Sequence, residues 1–346
     1  MSLFPPELAC QRVSVVIPAY RAAAFVGRAV DSVLAQQPPP AEVIVVDDAS
    51  PDDLRAALAQ HVLAGRVRLV RLPHNQGVAA ARNAGVRAAD GDVVAFLDAD
   101  DVWLPEHLSR ALSVLADHPD VDVVLQDFDI VDLQTQQRHG SWFALRHEAL
   151  SRLRTTALDP VTRRVEGGFV GALMSGCFVH MQATVVRRAV FERTMFDERL
   201  RCSEDVDWAL RSVHLGGATW AVRAQASGVY HRHAQSLTAD LTQNHERIER
   251  TGLMLFAEYL AWPRLAASDR VQIRRALVRA CLDLSYFARS QHRVADAWRF
   301  WAIGLHHGLH HGLHHGLGLQ QAREGAKLLL STPWMLLQRL SRCRQR

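Results

Sequence analysis

Short apolar runs rich in β-branched residues recur along the first third of this chain, and between them apolar residues return at helical spacing. The runs are VSVVI at 13–17, EVIVV at 42–46, VRLVRL at 67–72, DVVAFL at 92–97 and VDVVL at 121–125. Strands without a polar face need cover on both sides, so the alternation predicts an α/β fold: a mostly parallel, Rossmann-like sheet flanked by helices. The segment LPEHLSRALSVLADHP shows the helical pattern, with Pro105 placed where a first turn tolerates it. Past about residue 240 the strand-like runs stop and paired amphipathic helices take over. The expected division is a sheet domain at 1–238 followed by a helical C-terminal region at 239–346.

In open sheets of this class, ligands collect at the carboxyl ends of the strands. Two acidic clusters fall there: Asp47 and Asp48 after the second run, and Asp98, Asp100 and Asp101 after the fourth. Three carboxylates within four positions repel one another unless something neutralises them. Asp98 and Asp100 alternate, so both face one side, where Mg2+ or Mn2+ would fit with water and a substrate phosphate in its shell. Asp101 is equally readable as a cap for the next helix, and Asp48 as an Asx-turn residue. Between the clusters, HNQGVAAARNAG offers a turn at Gly77, a helix N-terminus and Arg82. Together these could hold a diphosphate, with a plain glycine turn as the rival reading.

Bulk properties narrow the class. The chain has 346 residues, 49% of them apolar and 22% charged, which suits a soluble globular protein. It has no run long enough to span a membrane and no secretory leader, so a cytoplasmic location is expected. The five cysteines, without a CxxC pair, read as free thiols or core residues. The net charge of +4 comes without interleaved aromatic and basic residues, and no nucleic-acid partner is expected. The segment LLLSTPWMLLQRLSRCRQR at 328–346 has the composition of an interfacial helix, which would allow peripheral membrane contact. The repeat GLHHGLHHGLHHGLG at 304–318 would stack His306, His310 and His314. Glycine at every fourth place opposes a helix there, so a tolerated surface repeat is favoured over a metal strip.

The motifs VSVVIPAY, VIVVDDAS, NQGVAAARNAG and FLDADD, continued by RRAVFERTMFDERLRCSEDVDWALR and YHRHAQSLT, resemble the family 2 glycosyltransferases of the GT-A fold over roughly residues 11–238. The resemblance implies an inverting transfer of sugar from a nucleotide-sugar donor to a glycan or lipid-linked acceptor hydroxyl, in surface polysaccharide or glycolipid synthesis. It assigns Asp98 and Asp100 to the DxD metal motif, with Mn2+ or Mg2+ as the ion. Asp47 or Asp48 would read the nucleotide base beside Pro18, Ala19 and Tyr20. Glu204 and Asp205 match the acidic pair that supplies the catalytic base, Asp205 being the base itself. His233 matches a further metal ligand, with His231 also available. Read from the residues alone, SEDVDWALR is a helix with an acidic first turn capped by Ser203. The rival function is a sugar-nucleotide-binding or assembly subunit without turnover. An oxidoreductase is disfavoured because IPAYRAAAFVG lacks GxGxxG after the first strand. The sequence carries no signal for oligomeric state or for the identity of donor and acceptor.

Overall fold

The computed structural model describes residues 11–233, 241–309, 323 and 325–329. The chain divides into two compact units, residues 1–236 and 237–346.

The first unit is built on one sheet. Its strands are β1 (Val13–Ala19), β2 (Glu42–Asp47), β3 (Arg68–Arg71), β4 (Val93–Phe96), β5 (Val102–Trp103), β6 (Val123–Asp132), β7 (Arg138–Ser141), β8 (Arg154–Ala157), β9 (Thr162–Gly167), β10 (Thr184–Arg187) and β11 (Trp220–Arg232). They run in the order β3-β2-β1-β4-β10-β6-β11-β9-β8, with β5 on β11 and β7 on β6. The β1, β2, β3 and β4 pairings are parallel, as the apolar runs predict. Every residue of β1 is buried, the signature of a strand covered on both faces. At the edge, β3 carries Arg68 and Arg71, charges that discourage further pairing.

The sheet departs from the sequence reading beyond β4. β10 lies antiparallel between β4 and β6, pairing Val185 with both Ala95 and Val124. It arises outside the five apolar runs, because the four residues TVVR carry too little pattern to stand out. Contacts from both neighbours supply what local propensity does not. β11 is likewise set by its partners. It runs parallel to β6 with register shifts around Ala226, and receives β5 through Gly228 and Trp103. A side chain at Gly228 would come 3.1 Å from the Val102 carbonyl, so glycine lets the two strands meet.

The alanine-rich helix Val78–Ala88 buries Ala79, Ala80, Ala81, Asn83 and Gly85. Small residues bring it close to the sheet: a β-carbon on Gly85 would collide with the Val16 side chain. That closeness positions Arg82 beneath the strand ends. The helix after β5 starts at His107, two residues after Pro105.

The second unit contains the helices Leu241–Leu260, Ala267–Ser290 and Val294–Leu309. Leu284, Ala288, Ala297, Phe300 and Leu328 form its core, with Leu253, Trp298 and Trp301 packed against them. Arg293 ties the helices together, donating to Glu246 at 2.7 Å and to Asp296 at 3.3 Å. No helix among the described residues is long and apolar enough to cross a membrane. His310, His314 and the basic segment from 330 onward lie outside the described residues.

Candidate functional site

The ends of β1, β2 and β4 form one rim, and the acidic clusters lie on it. Asp47 and Asp48 are both almost fully buried. The Asx-type turn expected of Asp48 belongs to Asp47, whose Oδ1 accepts the Ser50 amide at 2.7 Å while Oδ2 takes the Arg71 guanidinium. Asp48 instead reaches across the rim and accepts the amides of Gln76 at 2.7 Å and Gly77 at 2.8 Å. Those turn amides, expected to be open to a diphosphate, are therefore occupied by a carboxylate. Gly77 has φ 89, a conformation that favours glycine, and the Arg201 guanidinium lies over it. Pro18 and Ala19 are buried in β1, whereas Tyr20 is 42% exposed with the Arg21 guanidinium 5.4 Å from its ring centre.

After β4 the three aspartates diverge in role. Asp98 Oδ1 accepts Arg82 at 2.9 Å. Asp100 Oδ2 lies 3.0 Å from His233 Nε2. Asp101 does not cap the following helix, whose N-cap position is Glu106. It is buried and accepts the His231 backbone amide at 2.8 Å, which pins the DxD turn to the end of β11. His231 turns its Nδ1 to the Asp100 carbonyl at 3.0 Å, so His231 serves the backbone and His233 faces the carboxylate. Burial, then the charge of Asp98, pushes Asp100 up. Burial, then Asp100 and Asp98, pushes Asp101 up further.

Arg82 joins this cluster to the acidic pair. It is 4% exposed, and its guanidinium donates to Asp98 at 2.9 Å and to Glu204 at 2.7 Å. Burial alone would lower its pKa. The carboxylates of Asp98, Glu204 and Asp205 reverse that and raise it, so Arg82 stays charged. Arg82, which the sequence offers as a diphosphate ligand, lies here between two carboxylates.

Glu204 and Asp205 open the helix Glu204–His214. Ser203 precedes it at φ 60, and its side chain makes no capping bond. A left-handed conformation in a residue with a β-carbon costs about 1–2 kcal/mol, a strain placed directly before the acidic pair. Burial, followed by the Glu204 charge, pushes Asp205 up to about 7 against the opposing influence of Arg82. A carboxylate poised near neutrality suits proton abstraction. A base of this kind is effective only when deprotonated, so turnover is expected to rise with pH through about 7. Stability moves the other way, because the folded state holds this proton more tightly than the unfolded chain. The Asp205 contribution is complete below about 4 and is lost as pH rises through about 7. Urea denaturation of wild type and Asp205→Asn across pH 4–8 checks the sign; parallel profiles would refute it.

His180, invisible in an apolar stretch of sequence, sits beside this chain of charges. Its Nδ1 is 3.9 Å from Asp98 Oδ2 and has no hydrogen-bond partner. Phe128, Tyr230 and Trp142 surround its ring at 5.2, 5.4 and 6.1 Å. Burial lowers its pKa and keeps the imidazole neutral. Cys177 is no nucleophile, since burial and the nearby Asp205 charge push its thiol far up.

The model of Glycosyl transferase family 2 matches residues 14–178. The chain is 33% identical over 235 residues to the succinoglycan biosynthesis protein ExoO of Rhizobium meliloti, covering 67% of this chain and 64% of that one. It is also 33% identical over 243 residues to ExoW of the same organism, a protein named for the same biosynthesis, covering 64% of this chain and 71% of that one. Among solved structures, TarS of S. aureus in complex with UDP-GlcNAc superposes with a TM-score of 0.60 at 16% identity, covering 93% of this chain and 92% of that one. That likeness concerns the fold, and it agrees with the GT-A class.

Proposed function

This chain belongs to glycosyl transferase family 2, and we propose that it transfers a sugar from a nucleoside-diphosphate sugar to an acceptor hydroxyl with inversion. The observation that carries the reading is the continuous charge chain Asp98–Arg82–Glu204 with Asp205 at its end. It joins a carboxylate suited to a metal with a carboxylate suited to act as a base. Direct displacement at the anomeric carbon needs one base for the attacking hydroxyl and compensation for the charge growing on the leaving diphosphate.

Asp205 accepts the proton of the acceptor hydroxyl as that oxygen bonds to the anomeric carbon and the bond to the diphosphate breaks. Arg82 engages Glu204 at 2.7 Å, which leaves Asp205 as the carboxylate of the pair that takes the proton.

Asp98 and Asp100 are the residues that would hold Mn2+ or Mg2+, with His233 as a third donor. These side chains do not by themselves bring three ligand atoms within 4.8 Å of one another. Such a partial set fits a hard divalent cation that takes its remaining oxygens from substrate phosphate and water. The ion would supply positive charge to the departing diphosphate. On the nucleotide side, Tyr20 and the loop held by Asp47 and Asp48 would border the base. The names of ExoO and ExoW support an acceptor in surface polysaccharide assembly, either a glycan or a lipid-linked intermediate.

Nucleotide release from UDP-, GDP- and dTDP-sugars, with Mn2+ or with chelator, tests this reading. One donor is expected to turn over in a metal-dependent way, with at least a hundredfold loss in Asp100→Ala. If no donor is bound or consumed under any condition, the enzymatic reading fails and a non-catalytic role in assembly replaces it.

A further inference from the structure

Away from the sheet, three side chains of the helical unit converge: His245 and Glu249 on the helix Leu241–Leu260, and Asp283 on the helix Ala267–Ser290. One ligand atom from each lies within 4.8 Å of the other two. We propose that His245, Glu249 and Asp283 form a transition-metal site of the zinc type that clips these two helices together.

Several features separate this set from an ordinary polar surface. His245 and Glu249 stand four residues apart, so both occupy one helical face. Their closest atoms are 3.9 Å apart, too far for a hydrogen bond, so the pair does not satisfy itself. The His245 ring rests against Phe287, 5.0 Å between centres, which restricts the directions it can take. Glu249 is only 21% exposed, and Asp283 brings a second negative charge towards it. The Asp283 charge opposes ionisation of Glu249, and the charges of His245 and Arg279 act against it. Burial and Asp283 accordingly push Glu249 up.

Ligand atoms around tetrahedral zinc are roughly 3.4 Å apart, given bonds of about 2.0–2.2 Å. Closing the present set from within 4.8 Å therefore takes movement of about an ångström, within the reach of side-chain rotation. With one imidazole among three protein ligands and no substrate phosphate to complete an oxygen shell, this set favours zinc, cobalt or nickel over magnesium and calcium. Three protein ligands leave a fourth position for water.

The test uses full-length protein stripped with chelator and re-equilibrated with ZnCl2 or MgCl2, comparing wild type with Glu249→Gln/Asp283→Asn. Other zinc-binding histidines are common to both proteins and cancel. Wild type is expected to retain about one zinc per chain more than the variant, and its Tm is expected to rise by about 5 °C more at zinc a hundredfold above Kd. Without metal the variant should melt at or above wild type, because the carboxylate repulsion is gone. Equal zinc content and equal Tm response would overturn the site, and an equal differential with magnesium would overturn its zinc character. Should the double variant not melt cooperatively, the half-exposed His245→Ala decides the question by the same two readouts.

Discussion

Asp205→Asn is expected to lower sugar transfer by about 10²–10⁴-fold, the range associated with loss of a positioned general base, while nucleotide affinity stays within a few-fold. The amide preserves the shape of the side chain and can still accept the Val206 backbone amide that Asp205 accepts at 2.8 Å. It cannot take a proton. The loss should therefore appear in kcat at saturating donor, and the pH dependence through about 7 should vanish with it. Calorimetric titration with the nucleoside diphosphate separates binding from chemistry. If transfer survives within threefold, the proton goes elsewhere and Asp205 is a helix-opening residue only.

The second large effect concerns Arg82. Arg82→Met is expected to destabilise the protein by about 3–5 kcal/mol, because it leaves Asp98 and Glu204 without the cation between them. The methionine fills most of the volume, so the loss reports charge more than cavity. Urea denaturation of Arg82→Met and of Arg82→Met/Glu204→Gln distinguishes the two: neutralising Glu204 should restore a substantial part of the stability. A double variant no better than the single one would show that packing against Phe196, whose ring centre is 5.7 Å from the guanidinium, is what matters.

Legibility in the sequence followed the range of the interactions. β1, β2 and β4 are readable because each is a valine-rich apolar run whose residues are buried on both faces. β10 and β11 are not, because their pairing is supplied by partners far away in sequence. The acidic clusters are visible as residues, and their positions on one rim follow from the strand ends. Their partners are hidden. Nothing in NQGVAAARNAG says that the Gln76 and Gly77 amides are taken by Asp48, or that Arg82 is spent between two carboxylates instead of facing solvent. His180 is hidden for the opposite reason: between Val179 and Met181 it reads as core, and only the fold brings it to Asp98. Residue type predicts which chemistry is available, whereas partner choice depends on three-dimensional closure.

The antiparallel insertion of β10 also sets a timetable for synthesis. The block β3-β2-β1-β4 is complete in the chain by residue 96, but the strand that covers the open side of β4 begins at 184 and the last strand of the acidic rim ends at 232. From 96 to 184 is 88 residues, which a ribosome adding about 5–20 residues per second needs roughly 5–20 s to make. Throughout that interval a fully apolar strand presents an unpaired edge to neighbouring nascent chains, and Asp100 has neither His231 nor His233 beside it. A fragment ending at 178, where the family match ends, would keep that edge permanently. Expression boundaries for this protein belong after β11.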